Sequence, residues 1–347
     1  PGIQPGLGIP PSYDPESIDA YELGTKNILM DATLQANLTG FYYNYDSLQV
    51  SAIVQNTSVN QNINAKIWGV EGELLWAPTT NWQFNLNFGH TDSSIGNVAL
   101  IDQRNPTGGR SDTVLIKDSV LGASIGQNCV LYMLPGTTQT PDQDPILGSY
   151  YFAPPAAAGG ASGLAGHGVA HANYGWCGTP TGPALTPALT AAGLPLTDTW
   201  DDLLAARGYA RTDPSNPLNK SDGVHVSLSG NQLQNAPPWN ISIGVQYKFD
   251  LEGGYSITPR ADFYWQADMW GRIFDAPSDK ISSWENTNLQ LTFSAPNDQW
   301  FVQGYIKNVF NEDSITGEYL TSSTSGLYTN AFLVDPRFFG FRVGAHF

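Results

Sequence analysis

Apolar and polar residues alternate strictly over several long segments, and this alternation restricts the possible folds more than any other property of the chain. Trp82, Phe84, Leu86 and Phe88 alternate with Gln83, Asn85, Asn87 and Gly89, and Ile241, Ile243, Val245, Tyr247 and Phe249 with Ser242, Gly244, Gln246, Lys248 and Asp250. Leu289, Leu291 and Phe293 repeat the pattern, as do Phe339, Phe341, Val343, Ala345 and Phe347. A period of two places one set of side chains on each face of an extended strand. Read this way, the chain has nine strands, near 17–29, 31–52, 64–77, 82–95, 237–250, 255–274, 283–295, 299–311 and 336–347. Several exceed the roughly 5–6 residues usual for soluble strands.

The connections alternate between tight and long. Met30–Asp31, Ala77–Asn81, Asp250–Gly254 and Ala295–Asp298 are short, whereas 53–63, 96–236, 275–282 and 312–335 are long. One end of the sheet therefore carries turns and the other carries loops. Strands of this length with one apolar and one polar face are expected of an antiparallel transmembrane β-barrel. Lipid cannot hydrogen-bond, so the outer face must be apolar and the sheet must close. Glu71, Glu73, Arg260, Asp262, Gln266, Asp268, Lys307 and Arg342 then line a wet lumen, and Trp68, Trp76, Trp82, Tyr247, Tyr255, Trp265 and Trp300 suit the interfacial belts. An odd count of nine puts residue 17 on the loop side, so the chain reads as the C-terminal strands of a larger barrel. The absence of an opening signal segment agrees with a mature product or a start within a longer protein.

Composition excludes other classes. Length alone would suggest about two domains of roughly 150 residues, yet 36 Gly, 24 Pro, 10 Trp, 16 Tyr and 15 Phe among 347 residues fit an all-β chain with long loops. With 31 acidic against 15 basic side chains and no Lys/Arg run, nucleic acid is not an expected partner. The tract from Ala153 to Ala172 is broken by Pro154, Pro155 and repeated Gly, and reads as loop instead of a spanning helix.

The organisation follows: 1–16 an external loop segment, 17–95 strands, 96–236 a long external insertion, and 237–347 strands to the end. Within the irregular insertion, Thr199–Arg207 reads as a short amphipathic helix capped by Thr197 or Thr199. Cys129 and Cys177 are too few for a disulfide scaffold and wrongly spaced for zinc. A single disulfide pinning the insertion in an oxidising compartment fits them best.

Four runs stand out: Pro15-Glu16-Ser17, Tyr21-Glu22-Leu23-Gly24-Thr25-Lys26, the aromatic cluster Phe41-Tyr42-Tyr43-Asn44-Tyr45 after Asn37, and Asn64-Ala65-Lys66-Ile67-Trp68-Gly69-Val70-Glu71-Gly72-Glu73 leading to Trp76-Ala77-Pro78. In this order they resemble TonB-dependent outer-membrane receptors. Lys307-Asn308-Val309-Phe310-Asn311-Glu312 and Asp335-Pro336-Arg337, followed by the terminal Phe347, resemble the family's end. The likeness spans about 15–95 and 237–347 and leaves out the insertion. It implies the last nine of about 22 strands, with the plug and the TonB box lying outside this chain. It further implies a bacterial outer-membrane location, lipid and TonB-complex partners, and energised uptake of a small-molecule or metal-chelate ligand, first of all a ferric siderophore, with no bond chemistry and no cofactor of its own.

Tyr264, Trp270, Arg272, Trp284, Tyr319 and Tyr328 lie near external strand ends or in loops and are the expected substrate contacts, although interface belts or loop packing use such residues as readily. Glu71 and Glu73 share a face, which solvation in the lumen explains better than acid/base catalysis. His167 and His171 have helical spacing for a metal pair but lie among Gly and Ala. Asp142 and Asp144, with Asp112 and Asp118, lack the ordering of a calcium loop. No metal site is expected. No nucleophile elbow, Walker or dinucleotide run is present. Two rival classes remain: a barrel enzyme with a Ser/His/acid group on its rim, and a secreted β-sandwich that binds sugars, which fractionation without detergent would separate from a barrel.

Overall fold

The computed structural model describes residues 12–54, 57–119, 126–141, 143–147, 185–321 and 326–345. Nine strands form one sheet whose spatial order is their order along the chain: β1 (Ser17–Leu29), β2 (Leu34–Val54), β3 (Thr57–Trp76), β4 (Trp82–Ile95), β5 (Trp239–Tyr247), β6 (Ser256–Gln266), β7 (Trp284–Ser294), β8 (Trp300–Lys307) and β9 (Phe338–Ala345). Every neighbouring pair is antiparallel, and Phe249–Asp250 resumes pairing with β6 after Lys248. The sheet is open, with β1 and β9 as its edges, as a part of a larger barrel must be. No described helix is long and apolar enough to cross a membrane.

The register keeps the two faces apart from strand to strand. Val245 stands between Phe84 and Ala261, and Ile243 between Leu86 and Phe263; Pro259 faces Leu291, which faces Gly304, which faces Phe341. One position along, Gln83, Gln246, Arg260, Gln290 and Tyr305 form a row on the opposite face. That row is bonded across strands. Gln246 Nε2 donates to Gln83 Oε1 at 3.1 Å, and Arg260 donates to Asn85 at 2.9 Å, to Gln246 at 3.2 Å and to Asp262 at 2.5 Å. Glu71, Glu73, Gln266, Lys307 and Arg342 share this polar face by register. Asp268, expected beside them, lies just past β6 and pairs with Lys280 at 2.6 Å.

Aromatic rings flank the apolar face at both ends. At the turn end Trp82 stacks on Phe84 (5.3 Å between centroids) and meets Tyr247 edge-on (4.7 Å), with Tyr255, Phe293 and Trp300 continuing the belt. At the loop end His90 bridges Trp68 (5.2 Å) and Trp239 (4.3 Å). From Trp239 to Tyr247 the strand runs roughly 26 Å, which on tilting carries an apolar band of about 20–25 Å. The tightest turn, Met30–Thr33, is closed by Thr33 N–H donating to the Met30 carbonyl (3.1 Å).

Beyond the loop end the wall becomes a cap. A bulge between Tyr45 and Leu48, where Asn64 Oδ1 accepts the Ser47 N–H (3.0 Å), bends β2, and its ladder with β3 continues to Val54 and Thr57. Ile63 and Ile95 pack there with Leu228 and Ile273 in a small core joining the β2–β3 hairpin, both ends of the insertion and the segment after β6.

The insertion is more ordered than its irregular sequence implies. Thr113–Ser119, Gly126–Met133 and Tyr209–Ala210 make a three-stranded sheet. Against it lie α1 (Thr186–Ala192) and α2 (Trp200–Ala206), burying Leu131, Leu189, Trp200, Leu203, Leu204 and Tyr209. Thr199, not Thr197, caps α2 in a capping box: the Asp202 N–H donates to Thr199 Oγ1 (3.2 Å) and Asp202 Oδ2 accepts the Thr199 N–H (2.8 Å). Cys129 is fully buried in that core, and Cys177 lies outside the described residues.

Candidate ligand site at the external rim

Strand alternation sends Tyr264 of β6, then Trp284, Asn286 and Asn288 of β7, Lys307 of β8 and Phe338 of β9 to the polar face near its loop end. The segment after β8 folds back over them. Asn308, only 2% exposed, anchors that fold: its side-chain amide donates to the carbonyls of Glu312 (2.7 Å) and Asp335 (2.8 Å), and its backbone N–H donates to Asn288 Oδ1 (3.0 Å). Between wall and fold-back lies a cavity of about 540 Å³, also bounded by Thr316, Leu333, Val334 and Asp335. This is within the range of small-molecule clefts, about 300–1,000 Å³.

Tyr264 and Trp284 form its aromatic wall, with ring centroids 5.0 Å apart and planes at 48°. The Tyr264 hydroxyl donates to Gln266 Oε1 at 3.0 Å. Trp284 Nε1 and Asn286 Oδ1 are buried and have no partner. Both atoms are closed to water, so the accessible surface of the cavity is made by the other atoms of its lining. A larger depression, about 1,070 Å³, runs past Val245, Ala261, Leu289, Leu291 and Gly304. It lies on the apolar face and belongs to contact with hydrocarbon.

The other expected contacts are dispersed. Arg272 sits in an ionic knot: it pairs with Asp102 at 2.5 Å and with Asp279 at 3.2 Å, and lies over the Phe274 ring at 4.9 Å. Asp279, whose side chain is completely buried, also pairs with Arg104, which reaches Ser278 (2.5 Å) and Thr329 (2.8 Å). The knot thus fastens the insertion, the segment after β6 and the hairpin of Ile315–Leu320 with Thr329–Leu333 to one another. Glu318 of that hairpin borders it. Burial pushes its carboxyl above the usual range, Asp279 adds to the rise, and Arg104 and Arg272 oppose it. Glycine is required at 271, where a Cβ would stand 2.2 Å from Glu318 Cγ.

Trp270 pairs by backbone with Lys280, whose ammonium lies 5.8 Å from its ring. Tyr319 and Tyr328 are exposed on the hairpin. Of the six, then, the structure brings Tyr264 and Trp284 together, commits Arg272 to the knot, and leaves Trp270, Tyr319 and Tyr328 apart from the cavity. Asn286 and Asn288 were missed, although the spacing Trp284-x-Asn286-x-Asn288 on an inward strand carries the signal. Nothing local pairs Arg104 with Asp279.

Of the alternative metal candidates, Asp112 pairs with Arg110 at 2.6 Å and Asp144 with Arg207 at 2.5 Å. Asp142, His167 and His171 lie outside the described residues, and among those described no three His, Cys, Asp or Glu are placed to hold a metal ion.

Comparison with solved structures finds the ferric yersiniabactin uptake receptor FyuA of Yersinia pestis (13% identity, TM-score 0.49, 94% of this chain and 29% of that one). It also finds the ferric-catecholate import receptor Fiu of E. coli K12 (12%, 0.46, 96% and 28%) and the siderophore receptor PiuA of Acinetobacter baumannii (12%, 0.43, 95% and 28%). The chain spans less than a third of the length of each. No curated protein matches. A model of the TonB dependent receptor-like β-barrel matches residues 1–179, reaching into the insertion that the motifs left out. With just over half of its length matched and an antiparallel meander of the expected polarity, the chain belongs to the TonB-dependent receptor β-barrel family of the Gram-negative outer membrane.

Proposed function

We propose that this chain forms wall and external cap of a receptor that takes a bulky nutrient from outside and passes it inward with energy delivered through TonB. The family is one of transport, not catalysis. The observation that carries the reading is the rim cavity: the polar face of β6 to β9 and the fold-back after β8 bound a cleft at the external end of the wall. Catch at such a surface and release inward suit a solute too large for an open pore. A ferric siderophore or similar chelate is the first substrate to test. The partners under this reading are outer-membrane lipid along the apolar face, the ligand, and the TonB complex acting through a plug outside this chain.

Uptake of a radiolabelled ferric siderophore mixture by iron-limited cells should fall to background on deleting either this receptor's gene or tonB. Uptake that persists at full rate without TonB would overturn the energised reading. The disulfide between Cys129 and Cys177 belongs to the same proposal, and two free thiols found by non-reducing mass spectrometry of the exported protein would remove it.

A further inference from the structure

We infer that the hairpin of Ile315–Leu320 with Thr329–Leu333 is a movable cover on the rim cavity, seated while Glu318 is neutral and released when Glu318 ionises. The same strand pair does both jobs: Thr316 and Leu333 line the cavity, and Glu318 enters the ionic knot. The base of the hairpin is held to the wall by Asn308, whose side-chain amide donates to the Glu312 and Asp335 carbonyls, and by Arg337, whose backbone N–H donates to Asn311 Oδ1 (3.1 Å) and whose guanidinium donates to the Val309 carbonyl (3.2 Å). Beyond that base it is seated through the knot. Arg104 of the insertion donates to Thr329 Oγ1 (2.8 Å), and Glu318 packs on Gly271, where a Cβ would stand 2.5 Å from Oε1.

The charges of the knot do not balance. Asp102, Asp279 and Glu318 face Arg104 and Arg272, so one carboxyl is in surplus. The two aspartates take both guanidiniums, and Glu318 Oε1 is buried with no partner. Neighbouring groups do not make up the difference. Asp275, on the segment of Asp279, adds a carboxyl, and its Oδ2 accepts the Gln232 N–H (3.0 Å). Lys280, on the short strand Lys280–Ile281 that packs beside Ile315–Leu320, is paired with Asp268 at 2.6 Å. A neutral carboxyl is tolerated in this seat, whereas an ionised one gains by moving into water. One proton is exchanged, so the ratio of released to seated hairpin rises by up to about tenfold per pH unit above the ordinary carboxyl range, until the seated group itself ionises.

The test uses the complete receptor purified in detergent and spin-labelled at two exposed positions, through Asn330→Cys on the hairpin face opposite Glu318 and Glu285→Cys on β7. The receptor without the added cysteines supplies the background from Cys129 and Cys177. Pulsed dipolar spectra are expected to give one narrow distance near pH 4 and a second, longer population that grows towards pH 8. Glu318→Gln, neutral at every pH, should hold the first distance throughout. Gly271→Ala leaves no room for the carboxyl in either form and should remove the dependence on pH by a different route. Heat-modifiable mobility, measured for each variant at each pH, separates movement of the hairpin from loss of the wall. A distance that does not respond to pH in the unsubstituted receptor overturns the inference, as does a response that survives Glu318→Gln or Gly271→Ala. The uptake reading is judged separately, since loss of transport on deleting tonB does not depend on how the hairpin moves.

Discussion

Leu291 in the wall is 52% exposed, and Trp200 in the insertion is 0% exposed. Both are large apolar side chains in regular structure, and the difference lies in the solvent each region is built for. The wall turns Leu86, Ile243, Leu289 and Leu291 outward because hydrocarbon bathes that face, and keeps its hydrogen-bonding groups on the other. The cap turns the same residue types inward because water surrounds it. Accordingly, among the described residues most of the fully buried large apolar side chains, including Trp200, Tyr132, Tyr209, Leu131, Leu189, Leu203 and Leu204, belong to the insertion, and the exception, Ile63 of β3, lies past the loop end where the wall meets the cap. The rim cavity lies where the two regimes meet, with wall strands on one side and a water-facing fold-back on the other.

If the cap has a core of its own, emptying that core should damage the cap and spare the wall. Trp200→Ala should cost about 3–5 kcal/mol within the insertion. Protease should then cut residues 96–236 rapidly while heat-modifiable mobility persists. Simultaneous loss of both would mean that the two regions are one cooperative unit.

The complementary experiment inverts a wall position. Val245→Arg places a charge in the apolar row and should cost roughly 2–4 kcal/mol of assembly, whereas Gln246→Arg enters the polar row, opposite Arg260 and diagonal to Asp262, where water solvates it, and should cost far less. Equal amounts of assembled barrel in the two variants would contradict the assignment of faces.

The contrast also explains what could be read in advance. Period two exposes a wall strand directly, so β1 and β4 run over 17–29 and 82–95 as expected from alternation alone. It does not report a bulge, so β2 runs on to Val54 past the expected 52, although it starts at Leu34 instead of 31, and β3 starts at Thr57 instead of 64. In the cap only the local device was legible: Thr199 three residues before Asp202 announces α2, whereas α1 carries neither a side-chain cap nor an acidic first turn. Half of the site was visible for the same reason. Tyr264 and Trp284 are strand-end aromatics on an inward face, but Arg272 looked free because its partners, Asp102 and Asp279, are distant in sequence or in another turn.

A smaller effect separates helix propensity from packing within the cap. Thr199→Ala removes the acceptor for the Asp202 N–H and the hydroxyl bonded to Asp202 Oδ2, and should cost about 1 kcal/mol. Hydrogen exchange should quicken at the start of α2 alone. Unchanged exchange there would show that burial of Trp200, Leu203 and Leu204 sets the helix without its cap.

The smallest effect concerns the knot that fastens cap to wall. Glu318 is held above its ordinary value of about 4.5 by burial and by Asp279, against Arg104 and Arg272, so the folded hairpin prefers its neutral form. A carboxyl raised in the folded state contributes stability that is complete below its unfolded value and is lost as pH rises through the folded one. Between pH 4 and 8, hydrogen exchange at Thr321, bonded to the Tyr328 carbonyl, and at Gly271, bonded to the Asp279 carbonyl, should therefore accelerate beyond the intrinsic dependence on pH. Glu318→Gln should abolish the excess, because an amide fills the same space without ionising. If the excess survives that substitution, another group controls the knot. Asp275 is then the next to examine, since burial raises it too and its Oδ1 has no partner.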